Sequence, residues 1–410
     1  MSVPFGRALT RGKNRRNMEK IILKNSDLEV TRLCFGGCPM GGYGWGEVQK
    51  SDLIAAVHDA IQADVNFFDT AYLYLGSEVA LGKALAGGYR ERIKLATKLP
   101  PFMVRNNRDF ERIFTEQLKR LQTDRVDYYF IHMLSDVNVW NRLLELGIEQ
   151  WLEEKQKQGR IINLGFSYHG GVGEFKRLID VYPWHFCMIQ YNYLDEHNQA
   201  GISGLTYASS KGLPVFVMEP LRGGKLVTSL PKAVCDIWES ASVKRSPAEW
   251  ALRFVWNHPE VTLALSGMNT MDMLCENIAV ANTAQANSLS VQELELFVHV
   301  REILQQTIAI PCTGCNYCMP CPSGVDIPVC FSCYNDRGIE SKLSAKKNYL
   351  MQTTMKTQRL NASLCIKCGL CEQHCPQNIA IREELIKVAR ALEGVLYSPL
   401  SFLVKKFMQL

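Results

Sequence analysis

Eight short apolar runs, each followed by a stretch of helical character, occupy the chain from about residue 30 to about residue 280. They are VTRLCFGG (30–37), VNFFDTA (65–71), IKLATKL (93–99), VDYYFIHM (126–133), IINLGFS (161–167), FCMIQYN (186–192), PVFVMEP (214–220) and VTLALSG (261–267). All are rich in β-branched or aromatic residues and nearly continuous in apolar character, the pattern of strands buried on both faces. Several of the stretches between them open with Ser, Asp or Ser-Pro and close at Gly or Asn-His-Pro, which are helix start and stop signals. Eight such alternations predict a (β/α)8 TIM barrel in the α/β class. A doubly wound open sheet is the competing arrangement, and the absence of GxGxxG after the first run counts against it.

A barrel of this kind carries its chemistry at the carboxyl ends of its strands. The polar residues there are Asp69, with Tyr74 five residues on, then Lys98, His132, Ser167 and Gln190. Alone, each has a bland reading: Asp69 as a helix cap, Lys98 as a solvated strand end, His132 as a satisfied core residue. Together, on three successive strand ends, a carboxylate, a phenol, an ammonium and an imidazole converge on one rim and describe a site.

The chain has 410 residues, which leaves room for a second unit after the barrel. Its net charge of +5 is supplied by Arg7, Arg11, Lys13, Arg15 and Arg16 in the first 17 residues, where no acid occurs. The remainder is balanced, which argues against a nucleic-acid or anionic-surface partner. The arm is expected to be disordered or an added segment, with Met18 as the natural start. Arg15-Arg16 is not followed by an apolar stretch, and nothing reaches the length of a membrane span, so the protein reads as cytoplasmic.

Of 15 cysteines, ten fall between 312 and 375. A reducing compartment makes such a cluster a metal site rather than a disulfide framework. One run is Cys312, Cys315, Cys318 and Cys321 before Pro322; the other is Cys365, Cys368, Cys371 and Cys375 before Pro376. The second has the C-x2-C-x2-C-x3-C-P spacing of bacterial ferredoxins, in which the fourth Cys ligates the other cluster. The first is one residue shorter before its last Cys. Zinc is the alternative for paired C-x2-C motifs, but two runs each ending in Cys-Pro favour iron and sulfur. Two 4Fe-4S clusters are expected, one on Cys312, Cys315, Cys318 and Cys375, the other on Cys365, Cys368, Cys371 and Cys321. Cys330 and Cys333 are read as packing residues or as substitute ligands. Cys34, Cys38, Cys187, Cys235 and Cys275 are read as small core residues.

DTAYLY, ATKLP and FIHML resemble the three catalytic segments of the aldo/keto reductase family, and the likeness extends over residues 20–285. It implies carbonyl reduction by hydride from a nicotinamide, with Tyr74 as general acid, Lys98 and Asp69 tuning it, and His132 orienting the substrate oxygen. It further implies that Ser167 and Gln190 hold the nicotinamide amide and that MEPLRGG, with Leu221 and Gly223, lies along the pyrophosphate. Ser266, Gly267, Glu276 and Asn277 would meet the ribose and adenine. The chain departs from the family at Met218, where an aromatic residue is common, at Glu219, where a small hydroxyl residue is usual, and at Tyr168, where Asn is common. Gly267 and Met273 align with the cations that usually grip the 2′-phosphate, so NADP(H) and NAD(H) both stay open. Barrel and cysteine tail together resemble a prokaryotic subgroup of the family with fused iron-sulfur motifs.

The expected organisation is a basic arm (1–17), the barrel (18–290), a helical linker (291–311), a small, mainly α-helical ferredoxin-like domain (312–385) and a helical tail (386–410). A hydride carries two electrons and each cluster accepts one, so coupling them calls for a carrier such as a flavin. The favoured reading is an oxidoreductase acting on a small carbonyl or alcohol, whose clusters relay electrons to or from a partner of ferredoxin type. The alternatives are a plain nicotinamide-dependent reductase with structural clusters and a redox-sensing module with an inactive barrel. Tyr43, Trp45 and Trp140 are candidate pocket walls for an apolar or ring-shaped substrate, or simply cover for the rim.

Overall fold

The computed structural model describes residues 20–22, 29–37, 50–228, 230–339, 342–354, 359–394 and 397. The basic arm with Met18, the loop holding Cys38, Tyr43 and Trp45, and the chain after residue 397 lie outside the described residues. The chain divides into two units, residues 1–221 with 248–289 and residues 222–247 with 290–410. Among the described residues, no helix is long and apolar enough to cross a membrane.

In the first unit, eight parallel strands close into a barrel: β3 (Leu33–Gly36), β4 (Phe67–Asp69), β5 (Lys94–Leu99), β6 (Val126–Leu134), β7 (Ile161–Tyr168), β8 (Phe186–Gln190), β9 (Val215–Met218) and β10 (Val261–Ser266), with β10 returning to pair with β3. Each coincides with one of the eight apolar runs, β6 and β7 extending one residue past theirs, and a helix or helix pair follows nearly every one. The interior is filled largely by aromatic rings: Phe67 meets Tyr128 at 4.8 Å between centroids, Phe130 meets Phe186 at 4.7 Å, and Phe186 stacks on Phe216 at 4.9 Å. All five are fully buried. Each such burial stabilises the fold by roughly 2 kcal/mol, so the barrel has a packed centre and leaves the strand ends for chemistry.

The first apolar run is divided. An antiparallel pair, β1 (Lys20–Ile22) and β2 (Glu29–Thr31), precedes β3, and a bend at Arg32 separates β2 from the barrel. Arg32 is drawn elsewhere: its guanidinium lies 5.3 Å from the Trp256 ring and donates to the carbonyl of Ala284.

The second unit is helical. Its core gathers Ile310, Val325, Ile327, Phe331, Tyr349 and Leu385 around the cysteine runs. The expected linker is the helix Val291–Thr307, opened by a capping box between Ser290 and Glu293. Residues 222–247, which follow β9 in sequence, also belong here. Trp238 packs edge-on against Phe297 at 5.1 Å, and Arg245 pairs with Glu293.

Candidate functional site

Asp69 closes β4, Lys98 is the penultimate residue of β5, and His132 lies near the end of β6. Register brings the first two strands together, with Asp69 opposite Ala96. The end of β4 is fixed from the side of β3: Gly37 N–H donates to the Asp69 carbonyl at 2.7 Å, and a Cβ at Gly37 would stand 2.4 Å from that oxygen. Only glycine permits this approach. Ser77 then donates its hydroxyl to the Gly37 carbonyl at 2.8 Å and stands 2.7 Å from the Thr70 hydroxyl.

On this frame Lys98 Nζ donates to Asp69 Oδ1 and Oδ2 at 2.6 and 2.5 Å and to the Thr70 carbonyl at 2.8 Å. The same ammonium lies 5.0 Å from the centroid of the Tyr74 ring, and Tyr74 meets His132 edge to face at 5.9 Å. Lys98, Asp69 and His132 are buried, whereas Tyr74 is partly exposed. All four predicted rim residues are therefore in one place. The rival phenol, Tyr72, lies against the Arg120 guanidinium at 4.4 Å.

Electrostatics follow from burial. Removal from water pushes the Asp69 carboxyl up, with the Lys98 charge and hydrogen bonds pulling it back. Burial, reinforced by Lys98 and His169, holds His132 well below the usual imidazole range, so at neutral pH it is uncharged and can donate a hydrogen bond. Cys34, buried beside Asp69 and Lys98, is pushed well above the ordinary thiol range, by desolvation first and then by the Asp69 charge.

The residues expected to hold a nicotinamide are distributed over the strand ends and beyond. Ser167 Oγ accepts from Met133 N–H at 2.9 Å, where β6 kinks through the left-handed φ of +56° at Met133. Ser266 Oγ accepts from the Asn277 amide at 2.7 Å, and Glu276 is half-buried on the same helix. Gly267 follows directly after β10. Leu221 ends the first segment of the first unit, while Gly223 belongs to the second unit. Tyr168 turns its hydroxyl to the carbonyls of Gly171 and Ser135, at 2.6 and 3.1 Å. Trp140 is fully buried in an aromatic cluster with Tyr182 and Trp184, at 5.0 and 4.7 Å, and is a packing residue rather than a pocket wall.

Gln190 leads to residues that sequence reasoning missed. Its amide nitrogen donates to Asp195 Oδ2 at 2.9 Å, and its oxygen accepts from the Gln199 amide at 2.8 Å. The Gln199 oxygen in turn lies 3.1 Å from His169 Nδ1. An ionised carboxylate only accepts hydrogen bonds, so Asp195 dictates the direction of both amides and places the proton of His169 on Nδ1. Burial lowers His169 to about 4. The signal was a dense polar loop, YNYLDEHNQA, directly after an apolar strand, with His169 directly after the strand that carries Ser167.

In the second unit, Cys312, Cys315, Cys318 and Cys375 line one cavity together with Phe331 and Ile379. Cys371 lies within electrostatic reach of Cys365 and Cys321. Burial acts to raise Cys321, but the Ser323 hydroxyl and the N–H groups of Ser323, Val325 and Gly324 outweigh it and leave the thiol below its ordinary range, a state suited to a thiolate ligand. Among the described residues, no three His, Cys, Asp or Glu close on one point as ligands of a single ion. Cys330 and Cys333 are fully buried on the helix Ile327–Ile339, and Cys330 donates weakly to Tyr349 Oη and the Leu360 carbonyl, as a protonated core thiol does.

The profile of the "Aldo/keto reductase family" matches residues 32–297, and that of the "4Fe-4S dicluster domain" matches residues 311–380. A curated relative, the L-galactose dehydrogenase of Arabidopsis thaliana, is 26% identical over 68% of this chain and 93% of its own. Among solved structures, the aldo-keto reductase AKR11C1 from Bacillus halodurans superposes with a TM-score of 0.56 at 23% identity, over 69% of this chain and 96% of its own. An aldo-keto reductase from Klebsiella pneumoniae in complex with NADPH gives the same TM-score, identity and coverage. These structural likenesses carry the fold, and the family match spans almost the whole barrel. The chain belongs to the aldo/keto reductase family, as an oxidoreductase with a 4Fe-4S domain after its barrel.

Proposed function

We propose that the barrel reduces a small carbonyl compound, or oxidises the matching alcohol, with Tyr74 as general acid and base. The observation that carries this is the convergence of Lys98, Asp69, Tyr74 and His132 on one rim. A phenol has an ordinary pKa near 10 and is a weak acid at neutral pH. A nearby ammonium favours its ionised form, so Lys98 eases proton transfer from Tyr74 Oη to the oxygen of the developing alcohol. Asp69 holds the Lys98 side chain in place beside the phenol. His132, neutral, donates a hydrogen bond to the substrate oxygen and orients it.

The rim residues suit a nicotinamide. The Ser167 hydroxyl, whose oxygen already accepts from Met133, has its own hydrogen to give a carboxamide. Gln190 stands beside it on β8, and the Ser266–Asn277 pair is buried at the end of β10. NADP(H) or NAD(H), when bound, supplies or accepts the hydride. NADPH in the Klebsiella relative supports this assignment.

The cysteines suit two 4Fe-4S clusters, the first on Cys312, Cys315, Cys318 and Cys375, the second on Cys365, Cys368, Cys371 and Cys321. Two one-electron centres match the two electrons of one hydride, with a flavin-type carrier for the conversion. The second cluster is the one to meet a partner. Cys368 is exposed, and Ile366 and Leu370 beside it are 69% and 48% exposed, an unusual display of apolar side chains that suits docking of a ferredoxin-type protein.

Nicotinamide-dependent turnover of a carbonyl panel by Tyr74→Phe and Tyr72→Phe tests the barrel reading. A loss of about 100-fold or more in the first and near-full rate in the second is expected. Full turnover by Tyr74→Phe would sink the assignment.

A further inference from the structure

The turn after β9 carries the RGG of MEPLRGG, and within the second unit it meets three successive carbonyls of the first cysteine loop. Arg222 Nη2 donates to the Pro311 carbonyl at 3.3 Å, and Lys225 Nζ donates to the Cys312 carbonyl at 2.9 Å. Between them Gly223 comes so close to the third that a Cβ there would stand 2.8 Å from the Thr313 oxygen. Arg222, Gly223 and Gly224 all take left-handed backbone conformations, with φ of +50°, +63° and +86°. That turn puts both cationic side chains on the loop that holds the first ligand. Arg222 is 2% exposed and Lys225 is half-buried.

We propose that Arg222–Lys225 is a tuning element for the cluster on Cys312, Cys315, Cys318 and Cys375, in which the Lys225 ammonium raises the reduction potential. The inference rests on the two-cluster reading above. Reduction adds one electron to the cluster and makes it one charge more negative, with no bond made or broken. A fixed ammonium one residue's backbone from a ligand thiolate stabilises that added charge, more strongly away from bulk water than in it. By bonding to the Cys312 carbonyl, Lys225 also offsets the negative end of a peptide dipole near the cluster. The turn therefore raises the potential of the first cluster.

The test is a dithionite titration of the full-length protein, purified without oxygen and followed by electron paramagnetic resonance, with iron and sulfide measured on every sample. In Lys225→Met, one of the two midpoints is expected to fall while the other stays, with iron and sulfide unchanged. Lys225→Arg, which keeps the charge, is expected to remain near the wild-type value. Gly223→Ala lifts the turn from the Thr313 carbonyl and is expected to lower the same midpoint, which keeps the test open where Lys225→Met loses its iron. Wild-type midpoints in a fully loaded Lys225→Met protein, or in Gly223→Ala where that variant fails to load, would overturn the proposal. Absence of iron and sulfide from the wild-type protein would instead overturn the cluster reading on which it stands.

Discussion

Lys98 spends its three N–H bonds on Asp69 Oδ1, Asp69 Oδ2 and the Thr70 carbonyl, at 2.6, 2.5 and 2.8 Å, in a place almost closed to water. The pair is thus a single buried unit, and the remaining influence of the ammonium falls on the phenol ring 5.0 Å away. Stability and chemistry are joined at these two residues and can be separated by mutation.

Lys98→Met strands the Asp69 carboxylate in the interior, and a destabilisation of about 3–5 kcal/mol is expected. Turnover should fall by about 100- to 10,000-fold. Asp69→Asn combined with Lys98→Met removes the stranded charge, so stability should largely return while turnover does not. Urea unfolding and carbonyl turnover on the three proteins separate the two effects.

The buried imidazole of His169 makes the fold sensitive to acid. Its folded value of about 4 lies below the ordinary value of 6.5, so between these the unfolded chain binds the proton and the folded one does not. Stability from this group is complete above pH 6.5 and is lost as pH falls towards 4, by about 3 kcal/mol in all. Urea midpoints at pH 7, 5.5 and 4.5 should fall less steeply in His169→Gln than in the wild type.

Asp195 fixes the direction of the Gln190–Gln199–His169 chain. Nitrogen NMR of labelled imidazoles should show the His169 proton on Nδ1 in the wild type and a mixture of tautomers in Asp195→Leu. A wild-type His169 protonated on Nε2 alone would contradict the chain.

Ligand and packing cysteines should part cleanly. Cys318→Ser is expected to lose about half of the bound iron and sulfide, since one of two clusters is broken. Cys330→Ser, in the core against Tyr349, should keep its full metal content and lose only stability. Iron and sulfide analysis after anaerobic purification reads both.

Much of this was legible in the sequence because strands buried on both faces announce themselves as continuous apolar runs, and FFD, ATKL and FIHML ended where chemistry could sit. The division of VTRLCFGG was not legible, because the bend depends on where Arg32 finds Trp256 and Ala284, more than 200 residues away. His169 was passed over because its partners, Gln199 and Asp195, come from a loop whose polar residues are individually ordinary. The pairing of Arg222 and Lys225 with Pro311 and Cys312 is a tertiary contact between distant segments, and no periodicity or spacing encodes it.

On the proposed function, hydride chemistry in the barrel is joined to electron flow through the cysteine domain of the same protein. Visible absorption of the clusters in anaerobic protein, on addition of NADPH and then NADH, tests it most directly. Bleaching is expected, followed by recovery of the colour when a carbonyl substrate or an oxidised ferredoxin is added. Oxidation of the nicotinamide by a carbonyl substrate with the cluster absorption unchanged throughout would contradict it.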